Sequence, residues 1–185
     1  GKQTSVMSVG GLLNPQAVYF LFADHGVLYF CDTANIWRLD TKSGDLTSLL
    51  PDGTIFRPVS AMCMDWIYFK VLDRETKVLY ASRVNVKTHE LQQLSDVNCL
   101  SCFVTNHYVY VVMEPENGHG SETFVLRMKH DGSEPTVVGS FDNSWGVFLM
   151  AGGMLWEGYN IDDTYALDPN TGTLYRMPAF TAQEK

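Results

Sequence analysis

Cys99 and Cys102 stand two residues apart, a spacing that serves thiol exchange or half of a zinc site. Thiol exchange needs a helix N-terminus to lower a thiol pKa, and the residues around this pair, Leu100-Ser101 and Phe103-Val104, read as strand. Zinc would need a second pair of ligands at suitable spacing, and the other cysteines, Cys31 and Cys63, stand alone. Four cysteines allow three pairings, and spacing does not choose among them. The expectation is therefore buried thiols, with no metal and no cofactor.

Other candidate groups lie in polar segments. Asn160, Asp162 and Asp163 could offer oxygens to Ca²⁺, but that ion takes about six to eight of them, so a solvated turn is the simpler reading. Glu114 opens the insertion Glu114-Pro-Glu-Asn-Gly-His-Gly, where glycines confer mobility and His119 adds a side chain of the type that titrates near neutrality. Such a segment serves as a binding lip or as a tolerated insertion. Trp145, between Ser144 and Gly146, could stack on a sugar or anchor a protein. Gly-x-Ser-x-Gly, His-Glu-x-x-His and phosphate-loop patterns are absent from the sequence.

These groups must be positioned by a repeat. Arg38, Arg83, Arg127 and Ala166 each sit between apolar or small neighbours, at intervals of 45, 44 and 39 residues. A turn follows each, over Asp40–Gly44, Asn85–His89, Lys129–Gly132 and Asp168–Gly172, and then a short apolar strand. Asp-Thr-Lys-Ser-Gly and Asp-Pro-Asn-Thr-Gly open on a side chain that bonds backbone N–H groups two residues on. They close on a glycine that accepts a positive φ. Two further strands precede each arginine step, the second being Val27–Phe30, Trp66–Phe69, Tyr108–Val111 and Met154–Trp156. Units of four short strands every ~40–45 residues are the sequence signature of β-propeller blades.

The sequence predicts an all-β chain, a β-propeller of four-stranded antiparallel blades. They span approximately 17–50, 58–95, 97–141 and 145–178, with one extra N-terminal outer strand at 5–9. Blade 4 already owns an outer strand, so the extra one favours the remainder of a larger propeller, or two chains forming one ring as a homodimer. The arginines are expected to pack their stems and reach a carboxylate on the next blade. Trp37 and Trp156 are expected to pack between blades. Ligand contacts are expected at loops joining second to third strands and blade to blade, a face that collects Asp32, Glu114, His119, Trp145, Asp162 and Asp163.

Tyr29-Phe30-Cys31-Asp32 resembles the Tyr-Trp-Thr-Asp motif of low-density-lipoprotein-receptor-type propellers. The longer outline through Asn35-Ile36-Trp37-Arg38-Leu39-Asp40 looks like the bacterial secreted propellers of unknown function related to that class. Val71, Met113 and Gly158 stand where the other blades would repeat Asp32, so the motif is degenerate. The resemblance implies a propeller that binds a protein or a glycan, and it implies no chemistry.

A formal net charge of −8 argues against non-specific attachment to nucleic acid or an anionic membrane, and the 13 basic residues form no run. No apolar run approaches the ~18 residues of a spanning helix. The chain begins at Gly1 and reads as a segment of a longer exported protein, placed outside the cell, in the periplasm or on the cell surface. The expected function is a non-enzymatic binding module. The alternatives are a glycan hydrolase or lyase with carboxylates at the channel mouth, and an architectural spacer of an envelope protein.

Overall fold

The computed structural model describes residues 19–32, 35–114, 122–142, 147–158 and 164–176. Among these, every regular element is a strand. Blade 1 contains β1 (Tyr19–Asp24), β2 (Val27–Cys31), β3 (Ile36–Asp40) and β4 (Leu46–Ser48). Blade 2 contains β5 (Phe56–Cys63), β6 (Trp66–Leu72), β7 (Leu79–Asn85) and β8 (Leu91–Gln93). Blade 3 contains β9 (Cys99–Val104), β10 (Val109–Met113), β11 (Thr123–Met128) and β12 (Thr136–Phe141). Blade 4 contains β13 (Phe148–Ala151), β14 (Met154–Gly158), β15 (Thr164–Asp168) and β16 (Thr173–Arg176). Each blade is an antiparallel sheet whose strands lie in chain order. The strand expected at 5–9 lies outside the described residues. No helix is long and apolar enough to cross a membrane among the residues described.

The turn chemistry operates as the sequence implies. Asp40 Oδ1 accepts from Lys42 N and Ser43 N, and Gly44 closes the turn at φ +81° by donating to Asp40 O. Asn85 and His89 repeat this arrangement in blade 2, with His89 at φ 61°, and Asp168 and Gly172 repeat it in blade 4. These bonds hold the carboxyls of Asp40 and Asp168 below the usual carboxylate range.

Strand alternation gives every blade two faces, and blades 2 and 3 pack both against their neighbours. Tyr29, Cys31 and Ile36 of blade 1 pack against Ile67, Phe69 and Val84 of blade 2. Tyr68 and Ala81, on the other face of blade 2, pack against Val109, Val111 and Met128 of blade 3. Tyr110, Val112 and Val125 pack in turn against Leu155 and Leu167 of blade 4. Ile67, Tyr68 and Phe69 are consecutive and all fully buried, because β6 is the second strand of a blade covered on both sides. Each such side chain stabilises the fold by about 1.5–3 kcal/mol. A fourth cluster, Phe30, Leu39, Leu28, Trp37 and Leu46, lies on the face of blade 1 turned away from blade 2. Among the described residues, no apolar cluster joins blade 4 to blade 1.

Candidate functional site

Two of the loop-face candidates fall among the described residues. Asp32, just past β2, is buried, and its Oδ1 accepts Asn35 N at 2.7 Å while its own N–H donates to Asn35 O at 3.1 Å. Asn35 Oδ1 then accepts Ile36 N and Leu50 N, so this pair clamps the β2–β3 loop onto the exit of blade 1. Glu114, just past β10, is exposed, and its Oε2 accepts from Asn98 Nδ2 at 2.6 Å. Asn98 Oδ1 accepts in turn from Leu79 N at 2.9 Å. Both carboxylates hold backbone segments together. His119, Trp145, Asp162 and Asp163, with Asn160, lie outside the described residues.

No disulfide joins the four cysteines. Cys99 and Cys102 both face blade 2, although residues three apart on a regular strand point to opposite sides. A bulge explains this: Ser101 pairs with Val112 and Cys99 pairs with Met113, leaving Leu100 as the extra residue. Burial pushes the Cys99 thiol well up, away from the thiolate that redox or metal chemistry needs. Burial also raises Cys31, and the neighbouring Asp32 charge adds to the effect.

The repeated arginines do not behave as the sequence suggests. Each lies on the blade face turned toward the next blade, directly across the ladder from an aromatic: Tyr29 with Arg38, Tyr68 with Arg83, Tyr110 with Arg127. Their contacts stay within their own blade. Arg38 Nη2 lies 3.9 Å from Asp40. Arg83 Nε and Nη2 both donate to Gln92 Oε1, at 3.0 and 2.7 Å, and its guanidinium carbon sits 3.8 Å from the Trp66 ring centre. Arg127 lies 4.8 Å from the Tyr108 ring centre. Gln92 is the direct ladder partner of Arg83 across β7–β8, so the fork lands on it, and Arg83 contributes only its charge to Asp131, which accepts from Ser133 N and Ser133 Oγ.

Blade 4 breaks this pattern. Trp156 and Ala166 occupy the tyrosine and arginine positions, and their ladder row runs Leu149–Trp156–Ala166–Tyr175. Trp156 therefore does not pack into a blade interface among the described residues; its Nε1 donates to Ala151 O at 3.0 Å. Leu149 is 60% exposed, Tyr175 49% and nearby Val147 58%. Ala166, in the middle of the row, is only 1% exposed and Trp156 is half-buried, so the exposed apolar surface of this face lies at Leu149, Val147 and Tyr175.

The opposite end of the blades from the loop candidates holds two equivalent clefts that sequence reasoning missed. One, of about 490 Å³, lies between blades 1 and 2 and is lined by Tyr29, Arg38, His25 and His89 among others. The other, of about 460 Å³, lies between blades 2 and 3 and is lined by Arg83, His107, Tyr108, Lys129, His130 and Asp131. All four histidines among the described residues thus line these two clefts. The available signal was that each sits in a first-to-second or third-to-fourth strand turn.

An arc of four-stranded antiparallel blades, stacked face to face in chain order, is a β-propeller architecture. Solved structures agree on the fold. A nidogen–laminin complex is similar over 86% of this chain and 63% of its own, at 11% identity and a TM-score of 0.56. The extracellular domain of the one-component system BT4673 from B. thetaiotaomicron is similar over 96% and 24%, at 14% identity and a TM-score of 0.60. The calcium-binding protein regucalcin from Agrobacterium tumefaciens strain C58 is similar over 86% and 59%, at 12% identity and a TM-score of 0.56. The chain thus spans less than two thirds of the length of each of these proteins. No protein-family model and no curated protein matches the sequence.

Proposed function

We propose that the chain is a β-propeller binding module whose blade 4 packs against a partner polypeptide. The observation that carries this reading is the exposure of the large apolar side chains Leu149, Val147 and Tyr175 on one face of blade 4. Exposed apolar surface of this kind supports an interaction site. The other blade faces suggest what covers it. Each face between consecutive blades is sealed by the apolar row of a neighbouring sheet, so the fitting partner chemistry is another β-sheet face of the blade type. The YWTD-like resemblance at Tyr29–Asp32 and an extracellular domain among the similar structures support a secreted, bacterial setting for this module.

A photo-crosslinking residue at Leu149, introduced in the native host, tests the reading. One polypeptide should be captured reproducibly, and capture should be lost when Tyr175→Asp is added. The same crosslinker at exposed Thr171 serves as control. Capture of a second copy of this chain would identify the partner as such. Capture at Leu149 no better than at Thr171 would refute the interface.

A further inference from the structure

The two ends of the arc are not alike. In each interface between consecutive blades, one blade offers the face that carries its tyrosine, and the next blade offers its opposite face. This second kind of face repeats closely: Ile67, Phe69 and Val84 in blade 2, Val109, Val111 and Met128 in blade 3, Leu155 and Leu167 in blade 4. Blade 1 carries the equivalent set in Leu28, Phe30 and Leu39, with Leu28 across from Leu39 as Ile67 is across from Val84. The face of blade 4 that exposes Leu149, Val147 and Tyr175 is of the first kind, with Trp156 at the tyrosine position. What fits it is a face of the second kind.

Blade 1 of a second copy is poorly placed to supply that face. Phe30 is 9% exposed and Leu39 6%, and Trp37 Nε1, beside Phe30 on the same face, is withdrawn from solvent. This end of the arc is thus closed already in a single chain. Two copies could not join head to tail into one ring without first opening it. The open end has a ready continuation in the architecture itself. The chain spans 63% and 59% of two similar solved structures, and a propeller ring carries about four to eight blades.

Resting on the blade 4 interface proposed above, we propose that its partner is a further propeller blade from outside this sequence, and not a second copy of this chain. The second and third strands of that blade set an apolar row of the Ile67–Phe69–Val84 kind against Leu149, Val147 and Tyr175. Two measurements test this. In sedimentation velocity the purified chain should keep the mass of one chain over about a hundredfold range of concentration. A dimer that Tyr175→Asp dissociates would put a second copy on blade 4 and overturn the proposal. In the native host, the photo-crosslinker at Leu149 is mapped by mass spectrometry. Its attachment point should fall on an apolar residue in the second or third strand of a four-stranded repeat outside these 185 residues. Attachment to this chain itself, or to a polypeptide without such a repeat, would overturn the blade assignment and leave blade 4 an interface. Capture at Leu149 no better than at Thr171 would overturn both.

Discussion

The third turn of each blade offers a controlled measurement of what blade stacking contributes. Gly44 in blade 1 and Gly172 in blade 4 occupy the same place in the same five-residue turn, at φ +81° and +72°. Alanine at either position carries the left-handed penalty of about 1–2 kcal/mol. Either is also credited with about 0.4–1 kcal/mol from the stiffer unfolded chain. These two effects cancel between the sites, and the surroundings do not. A Cβ on Gly44 would meet nothing within 4 Å, whereas one on Gly172 would lie 2.7 Å from Val138 O. That oxygen cannot simply retreat. Val138 is the extra residue of a bulge in β12, where Val125 pairs with Gly139 and Leu126 with Val137. Pushing it back strains the outer strand of blade 3, an overpacking cost of about 1–3 kcal/mol.

Gly172→Ala should therefore lose about 1–3 kcal/mol more than Gly44→Ala in urea unfolding followed by tryptophan fluorescence. His89 already shows that this turn tolerates a side chain at φ 61° where space allows. Equal losses at the two glycines, within about 0.5 kcal/mol, would refute the claim that the turn seats against the preceding blade.

Tyr68→Phe removes the hydroxyl that bonds His130 Nδ1 while keeping the ring that fills the blade 2–blade 3 interface. It should cost about 1–3 kcal/mol in the same unfolding assay, more than a solvent-exposed hydroxyl, because His130 Nδ1 is left unmatched. An unchanged midpoint would show that the Tyr68–His130 bond carries no stability. Native-state labelling with a thiol reagent at pH 8 should give one fast-reacting cysteine, Cys63, the only one of the four that is partly exposed. The three others should react only on unfolding, and Cys63→Ser should abolish the fast phase. Two fast thiols, or none, would contradict the placement of these side chains.

Much of the architecture was legible because its causes are local. Turn residues such as Asp40 and Gly44 specify their own conformation, and alternating apolar residues such as Ile67 and Phe69 specify which face is buried. Those signals repeat, and the repeat identifies the blade. What was not legible depends on pairing register or on long-range meetings. The arginines reveal their register but not their acceptors, since the fork of Arg83 onto Gln92 depends on the pairing register of β7 with β8. The shared orientation of Cys99 and Cys102 depends on a bulge at Leu100 that leaves no mark in residue type. The histidine-lined clefts join turns far apart in sequence: His25 with His89, and His107 with His130. Each residue alone reads as an ordinary turn polar group.

In blade 4 Trp156 and Ala166 replace the Tyr–Arg pair, and this changes the chemistry of that sheet face. In the first three blades the pair makes the turn end of each interface polar, and clefts open above Tyr29–Arg38 and beside Arg83. A partner there needs only to close the apolar part of the sheet, because the arginine satisfies itself within its own blade through Gln92, Asp40 or an aromatic face. Trp156 and Ala166 remove that polar margin. The row is extended at both ends by Leu149 and Tyr175 rather than by charged residues. On the proposed reading a partner of blade 4 meets no polar margin, and Leu149→Asp should reduce crosslinked capture more than the same change at Arg38, Arg83 or Arg127.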